Sequence, residues 1–217
     1  TLDAGEKGCF EDETFSADEV TIEIYGVSTH PGYAKDRLVN AIKVSGEFLD
    51  SLPKDELSPE TTEDRYGFVH PTFINGIPEK ITLQFIIRDF FTTKLEAYEN
   101  YLRDKLDDAL RKFPGSRASF TIKEQYRNMK EILDKFPQVS ENAVEAIRRS
   151  GVAVRRSSAR GGTDGSRLSF MGLPCPNIFT GEMAFHSKHE YVSIQDMEKS
   201  VESLVHLAKI WEERSPG

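Results

Sequence analysis

The sequence predicts an α/β protein in which a ferredoxin-like domain, ordered β-α-β-β-α-β, is inserted into a second, partial α/β domain. Three observations predict it. Residues 20–27 alternate apolar and polar side chains, the period-2 signature of a half-buried strand. Residues 20–126 carry two further strand patterns joined by a tight turn, two amphipathic helix patterns and a closing strand. After Asn128 the pattern changes to short strands alternating with helices, the mark of an α/β layer with a largely parallel sheet.

The elements follow in order. Behind the first strand comes the loop Ser28-Thr29-His30-Pro31-Gly32. Leu38, Val39, Ala41, Ile42, Val44, Phe48 and Leu49 then recur at helical spacing, predicting a helix over 34–52 that Pro53 ends. Residues 51–65 hold Pro53, Pro59 and many carboxylates, and read as an exposed loop. Strands are expected over 66–75 and 80–90, with Gly76-Ile77-Pro78-Glu79 as the turn between them. Leu95, Tyr98, Leu102, Leu106 and Leu110 predict a helix over 92–113 that stops at Pro114-Gly115, and a strand over 117–126 completes the set. Two helices should therefore cover one face of a four-stranded sheet. Beyond it are expected a helix over 140–150, a strand over 152–155, a glycine-rich loop, a short helix, a strand over 176–179 and a final helix from Ser193 to about residue 213. The domain boundaries are read as 1–18 and 128–217 for the α/β domain and 19–127 for the insertion.

Composition narrows the function classes. The chain has 217 residues, of which 38% are hydrophobic and 29% charged, values of an ordinary globular protein with a real core. A net charge of −8 argues against nucleic acid or an anionic membrane as partner, since both select basic patches. Cys9 and Cys175 are isolated from one another, so neither a disulfide framework nor a cysteine-rich zinc knuckle is available, which fits a reducing cytoplasm. No apolar run reaches the length of a membrane span, and no signal peptide opens the chain. The start at Thr1, with no leading turn or cap, suggests a segment of a longer polypeptide.

Few residues could carry chemistry. Asp3 precedes Ala4-Gly5, where a sharp turn would leave its carboxylate at the rim of a sheet, as a cap or as a metal ligand. His186 and His189 lie in a loop after a strand, the usual place for ligands in an α/β sheet, and supply at most two donors. In Arg160-Gly161-Gly162-Thr163-Asp164-Gly165 the glycines permit close backbone approach to an anion and Arg160 offers a bidentate fork to a carboxylate; the Walker spacing and its Lys are missing, which excludes a nucleotide loop. His30 and Arg88 are isolated polar groups, each open to a solvated or a functional reading.

Taken together, the blocks TLDAG, VSTHPGYAKDRLVNA, FIIRDF, RGGTDGSRLSFMGLPCPNIFTG and FHSKHEYVSIQDMEKSV resemble the second half of the tripeptide aminopeptidases of the peptidase T family, in the di-zinc aminoacylase and carboxypeptidase superfamily. The resemblance implies two Zn²⁺ per complete site, with Asp3 ligating one and His186 the other. It leaves His189 structural. It implies that His30, on the inserted lid, reaches the active site of a partner subunit in a homodimer and polarises the scissile carbonyl. Arg88 and Arg160 would bind the terminal carboxylate of a short peptide substrate, and Asn75 sits where relatives often carry a substrate-binding Asn. The family's HxD motif, bridging Asp and Glu-Glu pair are missing, because the only Glu-Glu here is Glu212-Glu213 at the far end of the chain. The implied activity is removal of the N-terminal residue from tripeptides by the parent enzyme, with this segment inactive alone. The alternative is a non-catalytic dimerisation module, which would not need Asp3, His30, Arg160 and His186 together.

Overall fold

A computed structural model describes residues 1–215. Ser16–Gln125 forms one unit, and the flanking segments, Thr1–Phe15 and the residues from Tyr126 onward, form the other.

In the first unit, β2 (Ser16–Tyr25), β3 (Phe68–Ile77), β4 (Lys80–Asp89) and β5 (Arg117–Tyr126) make a four-stranded sheet in the order β3-β4-β2-β5. α1 (Ala41–Asp50) and α2 (Thr92–Lys112) complete the β-α-β-β-α-β unit. Alternation sets the buried face: Val20, Ile22 and Ile24 of β2 and Ile81, Leu83, Phe85 and Ile87 of β4 pack against Val44 and Phe48 of α1 and Leu95, Leu102 and Leu106 of α2. The other face is polar and solvated, as an antiparallel sheet allows, with Glu23 and Lys80 paired at 2.6 Å across β2 and β4. α1 is shorter than the 34–52 expected. Val27 and Val39 exchange backbone hydrogen bonds at 2.8 and 3.0 Å, which holds Val39 extended, and Asn40 caps the helix by accepting the Ile42 N–H at 2.9 Å. α2 ends where Pro114 cannot continue it and Gly115 turns at φ 93°.

The second unit holds β1 (Cys9–Thr14), α3 (Lys130–Leu133), α4 (Pro137–Arg149), β6 (Arg155–Ala159), α5 (Asp164–Phe170), β7 (Asn177–Ile178), a small hairpin of β8 (Glu182–Met183) with β9 (Tyr191–Val192), and α6 (Ile194–Arg214). Its sheet has the order β6-β1-β7. In the sheet expected to be largely parallel, β1 and β6 run parallel and Leu2 bridges Ile178 in parallel, while β7 lies antiparallel to β1. Sequence reading missed β1 and placed β6 at 152–155, three residues early. Val152 is buried as a loop residue, and the ladder uses the polar run behind it. Phe10 and Phe179 centre this core, with Ala143 and Ile147 of α4.

Candidate metal and substrate site

Asp3 ends a short extended stretch that lies parallel to β7 through the Leu2–Ile178 bridge, and its N–H donates to the Ile178 carbonyl at 3.0 Å. Gly5, at φ 61°, then turns the chain sharply and leaves the Asp3 carboxylate at the sheet rim. Desolvation by the surrounding protein raises the pKa of Asp3, and the carboxylates of Glu182 and Asp164 raise it further; the His186 imidazole acts in the opposite sense. Charges from the first residue of α5 and from the β8–β9 hairpin are thus felt at Asp3.

His186 sits at φ 61° and Ala184 at φ 53°, left-handed backbone that non-glycine residues seldom adopt. The conformation is held in part by Glu190, whose Oε2 accepts the His186 N–H at 2.8 Å, and the Phe185 ring meets the imidazole edge-on at 5.6 Å. The imidazole stays exposed. His189 is exposed too, and its N–H donates to Ser187 Oγ at 3.1 Å.

Behind this rim is a polar knot that sequence reading missed. Asn177 is fully buried; its Oδ1 accepts from Thr1 Oγ1 at 2.6 Å and Thr163 Oγ1 at 3.3 Å, and its Nδ2 donates to Glu11 Oε2 at 3.1 Å. Burial raises the pKa of Glu11, the Asn177 hydrogen bond opposes that rise, and the charges of Asp3 and Glu182 add to it. The sign of the pH effect follows. A carboxyl whose folded pKa is raised favours the fold while protonated, and that contribution is lost as pH rises above 4.5 through the folded value. Glu11→Gln keeps both neighbours, since its oxygen can accept from Asn177 and its amide can donate to Ser157. The variant should melt higher than the parent chain at pH 7, with the gap closing towards pH 4.5 in thermal denaturation followed by circular dichroism. A gap that is absent at pH 7 would refute the assignment.

The glycine-rich turn serves packing. A side chain at Gly162 would collide with the Tyr126 ring, and one at Gly165 with the Cys175 carbonyl, so the close approach made there is to the protein itself. Thr163 and Ser166 form a capping box at the start of α5. Arg160, just beyond β6, is half-buried with its guanidinium 5.1 Å from the centre of the Phe15 ring.

The remaining predicted residues lie in the four-stranded unit. His30 is exposed and caps a 3-10 turn at Pro31–Tyr33, its Nδ1 accepting the Gly32 N–H at 3.1 Å. That bond assigns the proton of the neutral ring to Nε2, which faces outward as a donor. Arg88 and Asn75 share the sheet face remote from the helices: Arg88 pairs with Phe68 and Asn75 with Thr82. Six ladder positions, about 20 Å, separate them, so the structure does not bring these two together.

One carboxylate and one imidazole, with two more carboxylates nearby, are donors that a zinc ion accepts. Among the described residues, however, no three His, Cys, Asp or Glu side chains come together as a metal site. The donor chemistry fits; the donor number does not close a site.

Residues 13–114 match the M20 peptidase dimerisation domain. Along 214 residues, 99% of its length, the chain is 42% identical to peptidase T of Clostridium perfringens, and it is 39% identical over 215 residues to peptidase T of Bacillus velezensis. This chain resembles peptidase T from end to end. It spans about half the length of these relatives, 52% in both cases. Among solved structures, a tripeptidase from Staphylococcus aureus superposes over 98% of this chain and 56% of its own with a TM-score of 0.81, at 16% identity. Aminopeptidase PepT from Bacillus cereus gives 0.78 over 96% of this chain and 56% of its own, at 19% identity. A dinuclear metal-binding peptidase of the M20 family from Bacillus subtilis gives 0.65 over 99% and 56%, at 15% identity. At these identities the likeness is one of fold.

Local sequence leaves Asp3 and His186 open between structural and functional roles, and it does not point to Glu11 or Asn177 at all. Glu11 lies in the acidic run Glu11-Asp12-Glu13, which looks like a solvated surface. Asn177 falls in the strand expected over 176–179, and nothing in that short apolar run announces a buried polar partner for Glu11.

Proposed function

We propose that this chain is the lid and the C-terminal part of the catalytic domain of a cytoplasmic di-zinc aminopeptidase that removes the N-terminal residue from tripeptides. The observation that supports it most is 42% identity to a peptidase T over 99% of the chain, and the charge of His186 is felt at Asp3. Asp3 and His186 would each hold one zinc, completed by ligands from the rest of the polypeptide. The metal pair, when bound, supplies Lewis acidity to the scissile carbonyl and a nucleophile at neutral pH. This chain's own residues then bind and orient. His30, reaching from a partner subunit, donates its Nε2–H to the developing oxyanion. Arg88 and Arg160 take the carboxylate of the short peptide. Cys9 and Cys175 are both free thiols, which suits a reducing compartment, and no helix among the described residues is long and apolar enough to cross a membrane.

The chain alone should hydrolyse no tripeptide even with added zinc, because it carries neither the general base nor a closed ligand set. Release of the N-terminal residue from a tripeptide, followed by amine detection, tests this; turnover by the isolated chain would refute the assigned roles.

Dimerisation through the lid follows from its edge. β3 borders the sheet with Phe73, Ile74 and Ile77 exposed, beside a groove of about 720 Å³ that Leu49, Leu52 and Tyr101 help to line. Ile74→Asp should turn a dimer into a monomer in light scattering at tens of micromolar. A wild-type chain that is strictly monomeric there would refute it. A non-catalytic module would also dimerise, but it has no use for Asp3, His30, Arg160 and His186 together.

A further inference from the structure

The lid carries a groove that the peptidase reading leaves unused. The connection from α1 to β3, residues 51–67, has no helix or strand of its own, and segments of that length in a compact domain usually carry function. It is nonetheless pinned. The Leu57 carbonyl accepts the Val69 N–H at 2.9 Å, the Ser58 carbonyl accepts the N–H groups of Thr61 and Thr62 at 3.1 and 3.0 Å, and the Ser58 N–H donates to Thr61 Oγ1 at 3.1 Å. Between this connection and α2 lies a groove of about 600 Å³, a size suited to a small ligand.

Its walls are aromatic and acidic. Tyr66 comes from the connection and Tyr98 and Tyr101 from successive turns of α2, with Glu56 and Glu63 beside them and no lysine or arginine in the lining. Tyr98 is held in place, because its hydroxyl donates at 2.9 Å to Asp89, a fully buried carboxylate that also accepts the Phe91 N–H at 2.9 Å. A phenol that gives its proton to a carboxylate keeps more electron density on its ring face, and that face attracts cations. Burial raises the pKa of Tyr101 and the charge of Glu56 adds to the rise, so this carboxylate is felt at the ring. Tyr101 already draws one cation of its own helix, Lys105 Nζ, 5.4 Å from the ring centre. The basic residues of the connection are engaged outside the groove, Lys54 with Asp50 at 2.8 Å and Arg65 over the Phe90 ring at 4.6 Å.

We propose that this groove binds a small organic cation through an alkylammonium group, its head against the rings of Tyr66, Tyr98 and Tyr101 and its charge balanced by Glu56 and Glu63. The chemistry excludes the other occupants. An anion would meet two like charges, and a bare metal ion needs three or more donors together, which the described residues do not supply. A neutral apolar ligand has no use for the two carboxylates. None of these residues is assigned to zinc, oxyanion or peptide carboxylate, so the inference stands apart from the peptidase reading.

The test is titration of this chain with choline and with 3,3-dimethylbutanol, the uncharged isostere in which carbon replaces the ammonium nitrogen, followed by calorimetry and by the NMR signals of the tyrosine rings. Choline should bind about tenfold more tightly than the alcohol, as desolvated cation–π contact and opposite charge require. Glu56→Gln with Glu63→Gln should remove most of that preference and leave the alcohol unaffected. Tyr66→Leu should weaken choline several-fold; Tyr66 is 69% exposed, so the melting midpoint should not move. Equal affinity for choline and the alcohol would overturn the proposal, and so would choline binding that neither variant changes. Leu57 and Tyr101 line this groove and the one beside β3 alike, so a second copy is the competing occupant. Choline binding that appears only in the monomeric Ile74→Asp variant would assign the groove to the dimer and overturn the site. The side chain of Nα-acetyl-lysine methylamide, tried in place of choline, separates the sources of the cation: affinity equal to choline's supports a peptide lysine, and weaker affinity supports a free methylated amine.

Discussion

Phe48→Ala should destabilise the lid by about 3–5 kcal/mol, the usual cost of removing a fully buried phenylalanine ring. Phe48 has no solvent exposure and meets Phe85 edge-to-face, with ring centres 5.8 Å apart. It is the point at which α1 locks onto the central strands β2 and β4, and Leu102 of α2 belongs to the same cluster. Nothing small can fill the gap, because every neighbour is itself held in a sheet or helix. The melting midpoint should fall by on the order of 15 °C or more, since each kcal/mol moves a domain of this size by roughly 4–8 °C. Circular dichroism reads the loss. Trp211, the single tryptophan, lies on α6 outside the lid, so its fluorescence shows whether the effect stays within that unit. A fall of less than about 1 kcal/mol would mean that α1 is not anchored through this ring.

What the sequence disclosed and what it hid have a common physical cause. The lid was legible because each element carries its own pattern: β2 and β4 alternate, and α1 and α2 present apolar residues every three or four positions. α1 was overextended because Leu38 and Val39 also fit helical spacing, while the bridge that holds Val39 extended comes from Val27, on the far side of a loop. β1 escapes pattern reading because Glu11, Asp12 and Glu13 interrupt the alternation of apolar and polar residues that marks a strand. Each is in fact satisfied across the ladder: Asn177 serves Glu11, Arg156 meets Asp12 at 2.9 Å, and Ser158 donates to Glu13 at 2.7 Å. Such partners lie well over a hundred positions away, so no local window contains them. The same holds for the site. Asp3 and His186 stood out by residue type, and a shared role for them was expected only through a family resemblance. The αL backbone that presents His186 carries no glycine to announce it.

In the full-length enzyme that we propose, His186→Ala and His30→Ala should fail in different ways. Loss of the His186 imidazole removes a metal donor from a loop strained to present it, so bound zinc and turnover should fall together. His30 lies on the lid, and its Nδ1 is already engaged by the Gly32 N–H, so Nε2 is the nitrogen left to act as an outward donor. His30→Ala should therefore leave the zinc content unchanged and lower kcat by about 10²–10³, the typical loss when one oxyanion donor is removed. KM should move little, since the interaction forms mainly in the transition state. Arg160→Ala should do the reverse and mainly raise KM, because a carboxylate contact acts on bound substrate and transition state alike. Zinc analysis beside steady-state kinetics on a tripeptide separates the three patterns. Full turnover in His30→Ala, or unchanged zinc in His186→Ala, would show that these two histidines do not divide the work between oxyanion and metal.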